Sequence, residues 1–222
     1  MEKTRFFKLP IFPNFFDYKP LVHLAIFAVY FAVTVLMIIS ETRFAFVIIC
    51  AMAVASVILY RKVLLHDLRI FTKHLGRYAL FTLLGLVGVF VLMTLAGTFI
   101  TAVAGTAPNQ ALSEILFQQT PILGAIAITI AAPVLEELMF RRAIFGMVKS
   151  RVLFYVLSSL LFGVAHIIVG FQFPSSFLFL LGYTLPGLAF AFLYERTKNI
   201  WVPTLVHVLI NSLAILMILL ER

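Results

Sequence analysis

Apolar residues in this chain gather into long runs, with polar residues confined to short breaks. Seven runs are long enough to cross a bilayer as helices, which takes roughly 17–25 residues each. They cover 21–40, 44–60, 78–104, 121–141, 152–170, 177–194 and 200–220. None shows the strict alternation of a half-buried strand, so the pattern predicts helices and excludes a β-barrel. The expected fold class is all-α: a polytopic transmembrane helix bundle of about seven spans, forming a single membrane domain over 1–222. The third run is long enough to tilt or break. Gly85 and Gly88 within it read as points of close helix contact.

Composition agrees with the pattern. Of 222 residues, 63% are hydrophobic and only 12% charged, where soluble domains carry about 25% charged residues. The mean hydropathy is +1.12. The net charge is +8, which in a soluble protein would raise nucleic acid as a partner. Here the basic residues sit in alternate breaks. Lys3, Arg5, Lys8 and Lys19 precede the first run, and Arg61, Lys62, Arg69, Lys73 and Arg77 separate the second from the third. Arg142, Lys149 and Arg151 follow the fourth, and Arg196 and Lys198 follow the sixth. The 105–120 break has no Lys or Arg, and 171–176 is uncharged. This is the positive-inside pattern, and it places the N-terminus in the cytoplasm. The partner it implies is the lipid bilayer, with no nucleic acid.

The opening stretch, 1–20, mixes aromatic and basic residues with Pro10 and Pro13. It reads as an interfacial N-terminal segment rather than a cleavable signal peptide. Cys50 is the single cysteine, so no intrachain disulfide forms. His23, His66 and His74 fall near run edges or in the basic break and are assigned no role.

A few polar residues interrupt the later runs. "PVLEELMFRR", Pro133 to Arg142, closes the fourth with Glu136 and Glu137. From Val152 to Tyr194 the only residue among Asp, Glu, Lys, Arg and His is His166, and from Ile200 to Leu220 it is His207. A charge at the bilayer centre costs about 2.5–3.5 kcal/mol on insertion scales, so such residues need partners or a function.

Spacing sorts them. Glu137 and Arg141 lie four apart with the acid first, the favourable order for an ion pair on one helix face. Glu136 points about 100° away around the helix and is left without that arginine. Pro133 removes a backbone hydrogen bond just upstream and is expected to kink the helix there. Phe162 with His166, and His207 with Asn211, are further four-apart pairs. His166 alone reads equally as a hydrogen-bonded packing residue, and Asn211 alone more often as glue between helices. Together, three helices can aim a carboxylate, two imidazoles and an amide at one interior point.

The segments "EELMFR" (136–141), "FGVAH" (162–166) and "HVLIN" (207–211) resemble the three motifs of the CAAX protease and bacteriocin-processing family, also called CPBP or abortive-infection-type intramembrane proteases. The resemblance covers about 115–220, which would form the catalytic core. It implies a helical membrane fold that hydrolyses peptide bonds inside the bundle. By motif position it makes Glu136 the base that activates water, with His166 helping to hold that water. His207 and Asn211 would stabilise the oxyanion, and Glu137, Arg141 and Phe162 would support them.

The chemistry is physically coherent. A carboxylate surrounded by apolar groups is a stronger base than one in water, and imidazole and amide donors can stabilise a tetrahedral oxyanion. The motifs contain no Ser or Cys for an acyl-enzyme. Glu136, His166 and His207 have the ligand types of a hydrolytic zinc site, yet there is no HExxH motif. No cofactor is assigned, and zinc or another divalent metal stays an alternative to glutamate acting directly on water.

The expected function is that of an intramembrane endopeptidase of a bacterial plasma membrane, acting on a peptide or lipoprotein substrate. Two alternatives remain. One is acyl transfer to lipoproteins or lipids on the same scaffold. The other is a non-enzymatic scaffold for a membrane sensor partner, or bacteriocin immunity. A transporter fits less well, since the polar residues cluster in one half of the chain.

Overall fold

The computed structural model describes residues 18–39, 44–168, 171 and 173–220. Regular structure among them is entirely helical. The helices are α1 (Pro20–Ile39), α2 (Ala45–Lys73), α3 (Leu75–Ala104) and α4 (Pro108–Gln119). They continue as α5 (Pro121–Met147), α6 (Arg151–Ile167), α7 (Ser175–Thr197) and α8 (Trp201–Leu220). Six of them, α1, α2, α3, α5, α7 and α8, are long and apolar enough to cross a membrane. The shorter α6 is the seventh apolar helix, with 17 residues. The expected all-α bundle of about seven spans is therefore present. The interfacial segment 1–20 lies outside the described residues except for its last three.

Two boundaries differ from the pattern reading. The second run does not end near residue 60, because α2 continues to Lys73. Its last turns bury Val63, Leu64, Asp67 and Phe71 and expose Arg61, Lys62, Arg69 and Lys73. That is an amphipathic helical spacing hidden inside a charge-rich stretch. The uncharged break at 105–120 contains α4, which starts with Pro108 in its first turn, where proline's missing N–H does no harm. The third run forms one unbroken helix of 30 residues.

Helix α5 threads the middle of the bundle and packs against α1, α2, α6 and α8. Every residue from Glu137 to Ile144 is buried, as expected of a helix with neighbours all round. The most extensive packing joins α6 to α7, followed by α3 with α7 and α2 with α5. Small residues permit the first of these. A Cβ on Gly187 would stand 3.2 Å from the Ser159 backbone, and one on Gly163 would stand 2.5 Å from Thr184 Oγ1. Gly85 is a close contact as expected, facing Leu193 and Val206. Gly88 is not, for nothing lies within 4 Å of where its Cβ would be.

His23, given no role above, is fully buried. It shares a 2.9 Å hydrogen bond with Tyr60 Oη and packs against Gly146, joining α1 to α2 and α5.

Candidate active site

The site begins with the backbone of α5. Two stretches, Ala127–Ala131 and Glu137–Ala143, are π-helical and flank a short α-helical piece, Ala132–Glu136. Wide turns of this kind are found frequently at functional sites. In the first, the Ala132 N–H reaches back to Ala127 O. Continuing that five-residue step, Ile128 O would take the N–H of residue 133. That residue is proline and has none, so the carbonyl is left for another donor. Asn211 of α8 supplies it, with Nδ2 donating at 2.9 Å.

Glu136 ends the α-helical piece and Glu137 opens the second wide stretch, and they do different jobs. Glu137 is fully buried. Its Oε1 accepts from His207 Nδ1 at 3.0 Å, and its Oε2 lies 3.1 Å from Arg141 Nε. The Arg141 guanidinium is also fully buried, and its Nη1 and Nη2 have no hydrogen-bond acceptor. Aromatic faces take their place, with the guanidinium carbon 4.7 Å from the Phe162 ring centre and 5.3 Å from that of Phe190. Such cation–π contacts strengthen when water is excluded.

Glu136 has no such partner. Its Oε2 lies 3.9 Å from His166 Nε2 and 3.8 Å from His207 Nε2, beyond a direct hydrogen bond, and makes none. The side chain retains 17% exposure. His166 retains 20% and His207 7%.

The tautomers follow from the outer partners. His166 Nδ1 lies 2.8 Å from the Phe162 carbonyl, which can only accept, so Nδ1 carries the proton. His207 Nδ1 faces a carboxylate and likewise donates. In the neutral rings, both Nε2 lone pairs therefore point towards Glu136 Oε2. Three acceptors converge, and each is short of a donor.

The donor types would suit zinc, but the spacing does not. Ligand atoms of a tetrahedral zinc ion stand about 3.3 Å apart, given bonds near 2.0–2.1 Å. The separations here are wider, and among the described residues no group of three His, Cys, Asp or Glu side chains is arranged to hold a metal ion.

Each sequence-derived site residue thus has a place. Glu136, His166 and His207 meet at one point. Glu137 and Arg141 lie behind them, and Phe162 contacts His166 at 4.4 Å between ring centres. The amide of Asn211 is tied to Ile128. Pattern reading missed Tyr183 and Phe190 of α7, whose rings stack on His166 and His207. It also missed Asp67, whose Oδ2 accepts the Ile200 N–H at the head of α8 at 3.0 Å.

Comparison with known proteins draws on this same part of the chain. Residues 118–213 match the model for "Type II CAAX prenyl endopeptidase Rce1-like" proteins, a stretch holding every motif residue of the site. A relative from Bacillus subtilis (strain 168), "Putative membrane peptidase YdiL", is 37% identical over 112 residues, covering 49% of this chain and 42% of that protein. "Membrane-embedded CAAX protease MroQ" from Staphylococcus aureus (strain USA300) is 28% identical over 151 residues, covering 63% of this chain and 58% of its own. The chain thus spans about half the length of the curated relatives it matches. No solved structure is a significant match. The chain is an integral protein of a bacterial membrane, related to membrane peptidases.

Proposed function

We propose that this Rce1-like chain is an intramembrane endopeptidase that hydrolyses a peptide bond of a membrane-associated or lipid-linked peptide or protein. One observation carries the reading: His166 Nε2 and His207 Nε2 lie 3.9 and 3.8 Å from Glu136 Oε2, three acceptors short of a donor. Water is the small molecule that answers such a set, since it offers two O–H donors. With one hydrogen on Glu136 and one on an imidazole, its remaining lone pair is free to attack a carbonyl carbon.

The steps balance without a covalent enzyme intermediate. Water attacks, and its proton passes to Glu136. The carbonyl oxygen becomes an oxyanion, and Glu136 then returns the proton to the leaving amine as the C–N bond breaks. The buried Glu137 carboxylate accepts from His207 Nδ1 and so holds that ring with Nε2 turned towards Glu136. Arg141 in turn pairs with the other oxygen of Glu137. The second N–H of Asn211 Nδ2, beyond that given to Ile128, is an oxyanion donor of the right type. The CAAX activity in one relative's name supports lipid-linked proteins as a substrate class.

The test compares membrane and secreted peptides from cells carrying wild type or Glu136→Gln. Removing a general base lowers rates by about 10²–10⁴-fold, so one or more cleavage products should vanish while their uncut precursors accumulate. Identical peptide profiles, with both proteins equally abundant, would defeat the assignment.

A further inference from the structure

The three motifs lie on α5, α6 and α8, yet the imidazoles do not hold their orientation through motif residues alone. The Nδ1 bond of each histidine fixes one ring atom. It leaves the ring free to tilt about that point, limited at His166 on one side by the tilted Phe162 ring at 4.4 Å, and tilting swings Nε2 away from Glu136. A flat neighbour removes this freedom.

Helix α7 supplies two. The Tyr183 ring stacks on His166 with centres 4.6 Å apart and planes 26° from parallel. The Phe190 ring stacks on His207 at 4.7 Å and 19°. Seven residues separate them, nearly two turns, so both rings leave the same side of the helix about 10 Å apart along its axis. Phe190 also faces the Arg141 guanidinium. The helix cannot drift from this position, because the bare Gly187 lies against the Ser159 backbone and Gly163 against Leu180 and Thr184.

We infer that α7 is a fourth wall of the site, and that Tyr183 and Phe190 are positioning residues that set the planes of His166 and His207. The inference deepens the endopeptidase reading and rests on it for its effect on rate. The stacking itself can be measured without any substrate.

The chain has five histidines, few enough for ring-labelled histidine NMR of the full protein in micelles, assigned with single His→Asn variants. In wild type, ring currents should displace the His166 and His207 ring protons upfield. Tyr183→Leu should reduce the displacement at His166 alone to the part that Phe162 contributes, and Phe190→Leu should reduce it at His207 alone. In a cleavage assay, each leucine variant should lower kcat about tenfold or more, since small misplacements of reacting groups are costly, with KM little changed. Tyr183→Phe and Phe190→Tyr should restore both signals and rate, which separates a flat ring from mere bulk. Leucine variants that keep wild-type ring shifts would overturn the inference, as would a phenylalanine at 183 that fails like leucine. If the shifts behave as stated but wild type cleaves nothing, the stacking stands and the peptidase reading falls.

Discussion

Asp67 lies outside all three motifs, yet it should control the helix that carries His207. It is 6% exposed, and its Oδ2 accepts the Ile200 N–H at 3.0 Å. Its backbone oxygen accepts from Asn199 Nδ2 at 2.7 Å, and Leu64 O accepts from Trp201 Nε1 at 2.9 Å. The end of α2 thus acts as an N-cap for α8, satisfying a donor that the first helical turn leaves free. Asp67→Ala removes the carboxylate and orphans the Ile200 N–H in a residue of 0% exposure. A hydrogen bond to a charged group contributes about 1.5–3 kcal/mol, and leaving a buried donor unmet costs about 1–3 kcal/mol. These describe one lost bond, so the expected destabilisation is about 2–3 kcal/mol. Asp67→Asn keeps an acceptor oxygen and should cost about 1 kcal/mol. The assay is denaturant unfolding in detergent followed by tryptophan fluorescence. Trp201 is the only tryptophan in the chain and sits at this joint. Cleavage should decline with stability, because His207 lies six residues, or about 9 Å, along α8. An Asp67→Ala midpoint within about 0.5 kcal/mol of wild type, the range of an inert surface change, would refute the capping argument.

Arg141→Met should destabilise the fold by about 3–5 kcal/mol, because it strands the Glu137 carboxylate. Glu137→Gln/Arg141→Met should regain much of this, and equal losses in the single and double variants would contradict the ion-pair account. Gly163→Val should cost about 1–3 kcal/mol by overpacking the contact of α6 with α7, read in the same unfolding assay; a neutral result would mean that contact is loose. Protein stripped of divalent ions by a chelator should cleave as before, and activity lost and then regained with zinc would reverse the metal-free mechanism.

The helical fold was legible because lipid imposes one simple demand, long apolar segments that satisfy their own backbones. The motif pairs were legible because residues four apart share a face of any helix. The different fates of Glu136 and Glu137 followed from the angle between neighbouring positions. Spacing could not show that His207 also bonds Glu137, since that contact joins α8 to α5 across 70 residues. Tyr183 and Phe190 were invisible among 24 phenylalanines and seven tyrosines, where an aromatic in an apolar run carries no mark of its neighbour. Asp67 was hidden for another reason. Topology is read from Lys and Arg, and acids add little to that pattern, so one carboxylate amid five basic residues drew no inference.

Pro133 shows how far a local rule can reach. The sequence suggested that it would kink α5 near Glu136. The residues bounding the wide turns keep right-handed helical dihedrals, among them Ala131 and Ala132 on one side and Glu136 and Glu137 on the other. The missing hydrogen bond appears as a change of helical step. In an ordinary α-helix Ala132 would donate to Ile128 O, and Asn211 would find that acceptor already used. Because Ala132 reaches back to Ala127 and residue 133 has nothing to give, Ile128 O turns to α8 and holds the Asn211 amide. His207, one turn earlier on that helix, then faces Glu137 from a support fixed at both ends, by Asp67 at its head and by Ile128 beyond. An imino acid three residues before the first motif thus creates the anchor for the amide of the third, and the two glutamates three and four residues after Pro133 line up with the histidines of α6 and α8.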